Sequence, residues 1–399
     1  MTLPKTKCSN KLIIWKLYLK DEKNDMKQNT QFRDVFNIKL VQLLATDLSQ
    51  AWVDFDKSEF INSIEPSLDE LNFGQRSSLI ADKLREFLPD NFESAVKILV
   101  KALGPEDKSD AIQGFDGFII MPQCLFISRY GLDFPNESLN ALYEMTKRFT
   151  AEGDIRPFIE KYPKQTMTFL EKLTRDKSPF ARRLPSEGTR PRLPLSSRLA
   201  EFQKDPTPVI KLLDKLYCDP NLMVRRSVAN NLNDIAKDNP DIVVKTLERW
   251  RNESPSTELE WIISHASRTL IKQGHHGALK LQGFNPKVHI HVSDIELNKA
   301  KLAFGDELTF MIRIDSLETK TCKLMIDYVI HFMKANGKQS PKVFKAARKT
   351  LDPKSSVVVT KQHSFQQRTS RIHYPGAHLL EIQINGRRYS QIDFDLVAE

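Results

Sequence analysis

DPNLMVRRSVANN, residues 219–231, has a forerunner in the same chain, DKSPFARRLPSEG at 176–188. Each begins with an Asp, passes through a short turn, sets down a pair of arginines and continues into a helix of small residues. The pairs Arg182/Arg183 and Arg225/Arg226 stand forty-three residues apart. Around them, residues 31–280 read as one helix after another. Apolar residues recur at intervals of three and four, as in Val35, Ile38, Val41 and Leu44, or Ala95, Ile98, Leu99 and Leu103. Prolines break the pattern at Pro89, Pro105, Pro135, Pro163, Pro179, Pro206, Pro220, Pro240 and Pro255. From Pro206 on, two helices and their turns make a unit of roughly 35–40 residues, the length of a helical-pair repeat.

An Asp before the turn and Val-Arg at the head of the second helix resemble the HEAT consensus, so the expected fold is an α-helical HEAT-like repeat solenoid. The stretch VRRSVANNLNDIAKDNP, 224–240, would then be the second helix of its unit. On a helical wheel Val224, Val228, Leu232 and Ile235 form the buried stripe. Arg226, Asn230, Asn233 and Lys237 fall opposite, with Asp234 on the flank. Arg, Asn and Lys suit a phosphate backbone, whereas phosphate repels a carboxylate. Asp234 therefore either pairs with its neighbours on a solvated face or has a chemical task. LPSEGTRPRLPLSSRL, 184–199, gathers Glu187, Arg190, Arg192 and Arg198 among prolines that should stop a helix and stiffen the connection. It reads equally as a DNA contact and as an exposed basic loop. TKRFTAEGDIRPF, 146–158, sets Glu152 and Asp154 among Lys147, Arg148 and Arg156, a pattern that weak surface ion pairs also produce.

After Gly283 the character changes. KVHIHVSDIEL, GDELTFMIRIDSL, CKLMIDYVIHFMK, SSVVVTKQHSF and AHLLEIQINGRRYSQIDFDLV are β-branched and alternating, with a hairpin signal at Asn385–Arg387. They predict a small all-β immunoglobulin-like sandwich. The expected organisation is an N-terminal extension (1–30), a helical domain (31–282) and a β-sandwich (285–399). The net charge of +9 favours an anionic partner, nucleic acid first. Cys8, Cys124, Cys218 and Cys322 have neither metal-ligand nor disulfide-framework spacing, and the nine histidines make no ligand cluster, so no metal is expected. The cysteine usage fits a reducing, cytoplasmic setting. The apolar run Leu12–Leu19 is broken by Lys16; it is too short to span a bilayer, and no small-residue cleavage site follows it.

Together TKRFTAEGDIRPF, RRLPSEGTRPRLP, VRRSVANNLNDIAKDNP and WIISHASRTLIKQG resemble the successive signatures of AlkC-type DNA alkylation-repair glycosylases, HEAT-like repeat enzymes related to the AlkD branch. The resemblance covers about residues 31–280, and some members carry a C-terminal immunoglobulin-like domain. It implies excision of cationic alkylated bases, of the 3-methyladenine and 3-methylcytosine type, from double-stranded DNA by hydrolysis of the N-glycosidic bond, without a cofactor. A base that already carries positive charge leaves without a general acid; a carboxylate stabilises the oxocarbenium-like sugar and orients water. The resemblance makes Asp234 and Glu152 the catalytic candidates. Arg148, Arg156, Arg190, Arg192, Arg225, Arg226, Asn230, Asn233 and Lys237 become DNA-binding candidates, with Arg268 a weaker one. It also implies a cytoplasmic, nucleoid-associated protein acting as a monomer, which cups the duplex instead of flipping the base into a pocket.

The chain departs from that pattern. Leu195 and Met121 stand where the family has Trp, Asn231 where it favours His, EGDIR where it favours EFAIR, and Ser264 where it favours a basic residue. An aromatic ring could stabilise a cationic base or sugar through its face. Two other functions therefore stay open: a non-catalytic binder of bent or branched DNA on the same scaffold, and a protein-interaction scaffold. In the β region Lys342, Lys345, Arg348, Lys349 and Lys354, or Arg387 and Arg388, fit either a further DNA contact or solvated loops.

Overall fold

The computed structural model describes residues 32–112, 116–367 and 372–397; the expected N-terminal extension at 1–30 lies outside them. The described residues hold sixteen α-helices followed by nine β-strands, the order expected from composition. They divide into two compact units, one ending at Ile235 and one beginning at Ala236.

The first unit carries α1 (Ile38–Ala51), α2 (Lys57–Ile64), α3 (Phe73–Phe87), α4 (Phe92–Ala102), α5 (Met121–Tyr130), α6 (Pro135–Thr146), α7 (Arg156–Lys161), α8 (Pro163–Leu173), α9 (Pro179–Glu187), α10 (Ala200–Lys204), α11 (Thr207–Leu213) and α12 (Leu222–Ile235). Polar caps start the early helices. Asn37, Asp56 and Asn91 each accept a backbone N–H of the first turn, and Asn72 with Gln75 makes a reciprocal capping box. The later helices use proline in the first turn, at Pro135, Pro163, Pro179 and Pro208, where the missing N–H costs nothing.

The repeat seen in the sequence is present in the hydrogen bonds. Asp176 Oδ1 accepts from Ser178 N at 2.8 Å, and Asp219 Oδ1 accepts from Asn221 N at 2.8 Å. Arg182 Nη1 donates to the carbonyls of Asp176 and Lys177; Arg225 Nη1 donates to those of Asp219 and Pro220. The two repeats are then bolted together. Arg182 reaches across to Asp219 with Nε at 2.6 Å and Nη2 at 3.0 Å, a bidentate pair within the α9–α12 packing. The first arginine of each pair thus clamps its own turn, which is why the motif recurs.

The stripe Val224, Val228, Leu232 and Ile235 is buried, as the wheel requires. Two details differ from expectation. The helix ends at Ile235, so Asp234 sits in its last turn and Lys237 lies beyond it. And α9 runs on through Pro185 to Glu187 instead of stopping at the proline. Pro185 costs the helix one rung, the bond its missing N–H would have given the Ala181 carbonyl, and only one further turn follows it.

The second unit joins α13 (Pro240–Glu253), α14 (Thr257–Ala266), α15 (Arg268–Lys272) and α16 (His276–Leu281) to strands β1 (Ile290–Val292), β2 (Glu296–Leu297), β3 (Lys301–Ala303), β4 (Glu307–Ser316), β5 (Cys322–Met333), β6 (Gln339–Leu351), β7 (Ser356–Ser364), β8 (Gly376–Ile384) and β9 (Arg387–Val397). In one sheet β4 pairs with β1, β2 and β7; the other runs β3-β9-β8-β5-β6. All the pairings are antiparallel except β3 with β9. Alternate residues of the two sheets face inward, with Leu308, Phe310, Ile312 and Ile314 from β4 meeting Leu324, Ile326, Tyr328 and Ile330 from β5 in one core.

The switch from helix to strand falls where composition changes, yet the compact units divide earlier, so the four last helices belong with the strands. Packing explains it. Met325 and Asp327, on the outer face of β5, are buried, and they share a cleft of about 190 Å³ with Arg268, Lys272 and Gln282. Gly274 (φ 74°) and Gly386 (φ 80°) bring the turn after α15 against the β8–β9 hairpin. A Cβ on Gly386 would lie 2.5 Å from the Gly274 Cα, so neither position has room for a side chain. Asn385 fastens the joint by donating Nδ2 to the carbonyls of Asn285 at 2.8 Å and Lys323 at 3.1 Å.

Candidate active site

Three segments of the first unit converge: the turn before α7, the end of α9 with the loop after it, and the last two turns of α12. Gly188 allows the approach. Its Cα faces Ile155, and a Cβ there would come within 2.6 Å of the Ile155 Cγ2. Asn231, fully buried on α12, donates Nδ2 to the Ser186 carbonyl at 2.7 Å and to Thr189 Oγ1 at 3.2 Å. Ser227 Oγ donates to Ser186 Oγ at 2.8 Å. These contacts explain part of the run of polar residues in a packed helix: Asn231 and Ser227 hold the terminal turn of α9.

The charged groups brought together form an alternating chain. Arg183 Nη1 and Nη2 lie 3.2 and 3.3 Å from the two oxygens of Glu152. Arg183 Nη2 is also 3.7 Å from Glu187 Oε1, which accepts from Arg190 Nη1 at 2.6 Å. Arg190 Nε then donates to Asp234 Oδ2 at 2.8 Å. Glu152, Glu187 and Asp234 are thus linked through two guanidiniums. Burial pushes the Glu187 carboxyl up, but Arg183 and Arg190 outweigh it and hold Glu187 below the usual carboxylate range. Burial likewise disfavours charge on both arginines, and it is outweighed for Arg183 by Glu152 and Glu187 and for Arg190 by Glu187 and Asp234, so both are held above the ordinary guanidinium value. The network thus favours the charged forms of Arg183, Glu187 and Arg190.

Asp234 is only 2% exposed, yet its surroundings are charged and polar: Arg190 is bonded to it, and Arg156 feels its charge. The carboxylate of the chain that lines a cleft is Glu187. It lines an open cleft of about 790 Å³ between α9 and α12, with Lys177, Arg182, Arg183, Arg226 and Asn230 around it.

Other candidates lie elsewhere. Arg156, 1% exposed, donates Nη1 to the carbonyls of Gly188 at 2.9 Å and Arg190 at 2.8 Å, and Nη2 to Ser197 at 2.5 Å. Burial pulls its guanidinium down to about 10. That position is not a phosphate contact; it braces the loop that carries Arg190. Arg148 is occupied by the Gly104 and Glu144 carbonyls and the Glu144 carboxylate, and Arg225 by its own turn. Arg192 is half-buried beside the Gln203 amide. Arg226 is exposed and Asn230 half-buried in the cleft, whereas Asn233, expected on the solvent face, is buried. Lys237 is exposed and falls in the second unit, as does the half-buried Arg268. Sequence reading missed Arg183 and Glu187 as site residues, although both lie in the quoted motif, one helical turn apart.

Asp154, two residues from Glu152, accepts Ser128 Oγ at 2.8 Å. Burial pushes its carboxyl up to about 7, the Ser128 hydrogen bond pulls it down, and the Glu152 charge pushes it up again. From the ordinary carboxyl value to about 7 the folded chain holds the extra proton, so this group's contribution to stability falls as pH rises through that window. Asp154→Asn is expected to stabilise the chain by at least ~1 kcal/mol at pH 8 and by less at pH 5, seen as a larger rise in melting temperature at pH 8, since one pKa unit corresponds to about 1.4 kcal/mol. Thermal melts at the two pH values check it; an equal gain at both would show that Asp154 is not the titrating group.

Over 92% of this chain and all of that chain, the fold is similar to Pseudomonas fluorescens alkylpurine DNA glycosylase AlkC bound to DNA containing an abasic site analog, with 32% identity and a TM-score of 0.83. The chain belongs to the AlkC family. Over 365 residues, 91% of the chain, it is also 33% identical to the Bacillus subtilis (strain 168) protein described as "Uncharacterized protein YhaZ", 99% of which is covered. Residues 291–398 match the family model "Uncharacterised protein YhaZ, C-terminal Ig-like domain", so the strands of the second unit form the immunoglobulin-like domain carried by this AlkC-family chain. Of the departures from the AlkC signatures, Asn231 is taken up in the α9 contact, while Leu195 is 97% exposed.

Proposed function

We propose that this chain is a DNA glycosylase of alkylation repair. It binds double-stranded DNA and hydrolyses the N-glycosidic bond of cationic alkylated bases of the 3-methyladenine and 3-methylcytosine type, acting as a monomer at the cytoplasmic nucleoid. One observation carries the reading: the chain Glu152–Arg183–Glu187–Arg190–Asp234, opening through Glu187 onto a cleft edged by Lys177, Arg182 and Arg226. The resemblance to a glycosylase bound to DNA containing an abasic site analog supports it. Basic residues at the edge suit phosphate, and a net charge of +9 suits a polyanion.

The chemistry follows from the charge of the lesion. Alkylation makes the base a good leaving group, so the barrier lies in the cation developing on the sugar. A carboxylate fixed near that sugar stabilises the cation and holds water on its open face. The arginines hold the carboxylates aimed through their hydrogen bonds.

The test is release of methylated bases, measured by chromatography, from methylated duplex DNA incubated with the purified chain. Free 3-methyladenine or 3-methylcytosine is expected, and duplex affinity is expected to fall by ~10²-fold or more between 50 and 200 mM salt. Salt-sensitive binding without release identifies the non-catalytic DNA binder. Affinity indifferent to salt removes DNA as the partner and leaves the protein scaffold.

A further inference from the structure

We infer that three buried histidines form an acid-sensitive latch at one end of the β-sandwich. When they take up protons that end opens, while the end that meets the last helices stays closed. The latch is independent of the proposed glycosylase activity.

His363 lies near the end of β7, His378 near the start of β8, and His373 shortly before β8. All three are buried, His378 completely. Phe332 of β5 and Phe365 pack among them. The Phe332 centroid is 5.9, 5.6 and 6.1 Å from the rings of His363, His373 and His378, and that of Phe365 is 5.2, 5.2 and 5.9 Å from the same three. Phe344 of β6 closes on His363 at 4.7 Å, and Phe394 of β9 stacks on His378 at 5.3 Å. Rings from five strands therefore meet around the imidazoles. The hydrogen bond of His378 fixes its neutral form. Its Nδ1 is 2.9 Å from the Gly376 carbonyl, which can only accept, so Nδ1 carries the hydrogen. The second proton would have to go to Nε2, which is buried with no hydrogen-bond partner among the described residues. It would create a charged donor with no acceptor in an aromatic shell.

The surrounding charges do not compensate. Burial disfavours charge on His378 and outweighs both the Gly376 carbonyl and Asp395 of β9, so the imidazole is held below its ordinary value. Lys334, after β5, and Lys342, on β6, stand 5.9 and 5.6 Å from the Phe332 and Phe344 rings, and their charge opposes further protons. Tyr328 of β5 places its hydroxyl 3.0 Å from His363 Nδ1. Asp306, whose carbonyl accepts from Phe365 N, has its carboxylate on Ala303 N and Lys299. Above the ordinary imidazole value of about 6.5, folded and unfolded chains hold the same protons here. Below it the unfolded chain takes a proton that folded His378 refuses, so stability falls as pH falls. Two more imidazoles around the same phenylalanines add to the effect, because each new charge repels the next. The strain is local. At this end the start of β8 is tied by the His378–Gly376 bond and by Gln339 Nε2, which donates to the Ala377 carbonyl at 2.9 Å. Asn385 and Gly386, which fasten the sandwich to the helices, lie beyond the other end of β8.

The experiment is amide hydrogen exchange of the full chain, read by mass spectrometry at pH 7.5 and 5.5 and corrected for the intrinsic effect of pH. Peptides covering 328–333, 358–365 and 376–380 are expected to exchange about tenfold or more faster at pH 5.5, while those covering 270–284 and 383–388 change by less than about twofold. The double variant His373→Phe with His378→Phe keeps ring volume and removes two proton sites, so its acceleration should shrink to within about threefold. His276→Gln, at an exposed histidine, should keep the full acceleration. Equal exchange at the two pH values in wild type overturns the latch. So does an acceleration that reaches 383–388 to the same degree, or one that persists undiminished in the double variant. If the double variant does not fold at pH 7.5, the wild-type map decides alone: acceleration confined to the histidine end upholds the latch, and any other pattern overturns it.

Discussion

Asp234→Asn is expected to lower the rate of base release by on the order of 10²–10³-fold while leaving duplex affinity unchanged or tighter. The substitution keeps the shape and an oxygen acceptor for Arg190 Nε, 2.8 Å away in the native chain, and removes one negative charge. Phosphate repels that charge, so its loss cannot weaken ground-state binding electrostatically; only a role in stabilising the sugar cation makes it costly. The loss should appear in the single-turnover rate and not in affinity. Glu187→Gln is the companion, because Glu187 is the carboxylate of the ion chain that lines the cleft. If Glu187→Gln abolishes release and Asp234→Asn does not, the carboxylate in the cleft is the working one and Asp234 positions Arg190. If both variants release base within about threefold of wild type, no member of the Glu187–Arg190–Asp234 chain supplies transition-state charge.

The residues that a local rule governs were legible. The spacing of Val224, Val228, Leu232 and Ile235 identified a buried stripe, and the recurrence of Asp, turn and Arg-Arg identified a unit whose hydrogen bonds repeat in space. The alternation after Gly283 predicted the sandwich. Contacts made far along the chain were not legible. Asn233 read as surface, and Asn231 had no assigned contact, because the wheel of one helix carries no information about its neighbours; α9 and the loop after it supply the partners of Asn231 from more than forty residues away. Arginine beside carboxylate looks the same whether it meets phosphate, an acid or a carbonyl, so Arg156 was counted with the clamps although it holds three carbonyls. Glu187 was visible in RRLPSEG, yet its closeness to Arg183 and Arg190 reads as an ordinary helix-surface pair until burial is known. The unit boundary at Ile235 escaped composition because the last helices resemble those before them; only their packing on β5 and the Gly274–Gly386 contact attaches them to the strands.

Arg156 therefore separates the two readings by experiment. Arg156→Met fills much of the same volume and removes the donors to Gly188, Arg190 and Ser197. A buried carbonyl left without a donor costs about 1–3 kcal/mol, and the two buried ones, of Gly188 and Arg190, exceed the desolvation that the guanidinium no longer suffers. A net loss of about 3–4 kcal/mol, seen as a fall of roughly 10 °C in the melting of the first unit, is expected. The loop released is the one that carries Arg190, so Glu187 and Asp234 lose their shared counter-ion. Base release should fall steeply even below the melting transition, while the salt dependence of duplex binding keeps its slope. Arg156→Lys keeps the charge but not the fork that serves both ends of the loop, so it should resemble Met more than wild type. A phosphate contact predicts the reverse: an unshifted melting temperature, a salt slope smaller by about one and an affinity loss uniform across sequences. That result would return Arg156 to the clamps and remove the brace on which the placement of Arg190 depends.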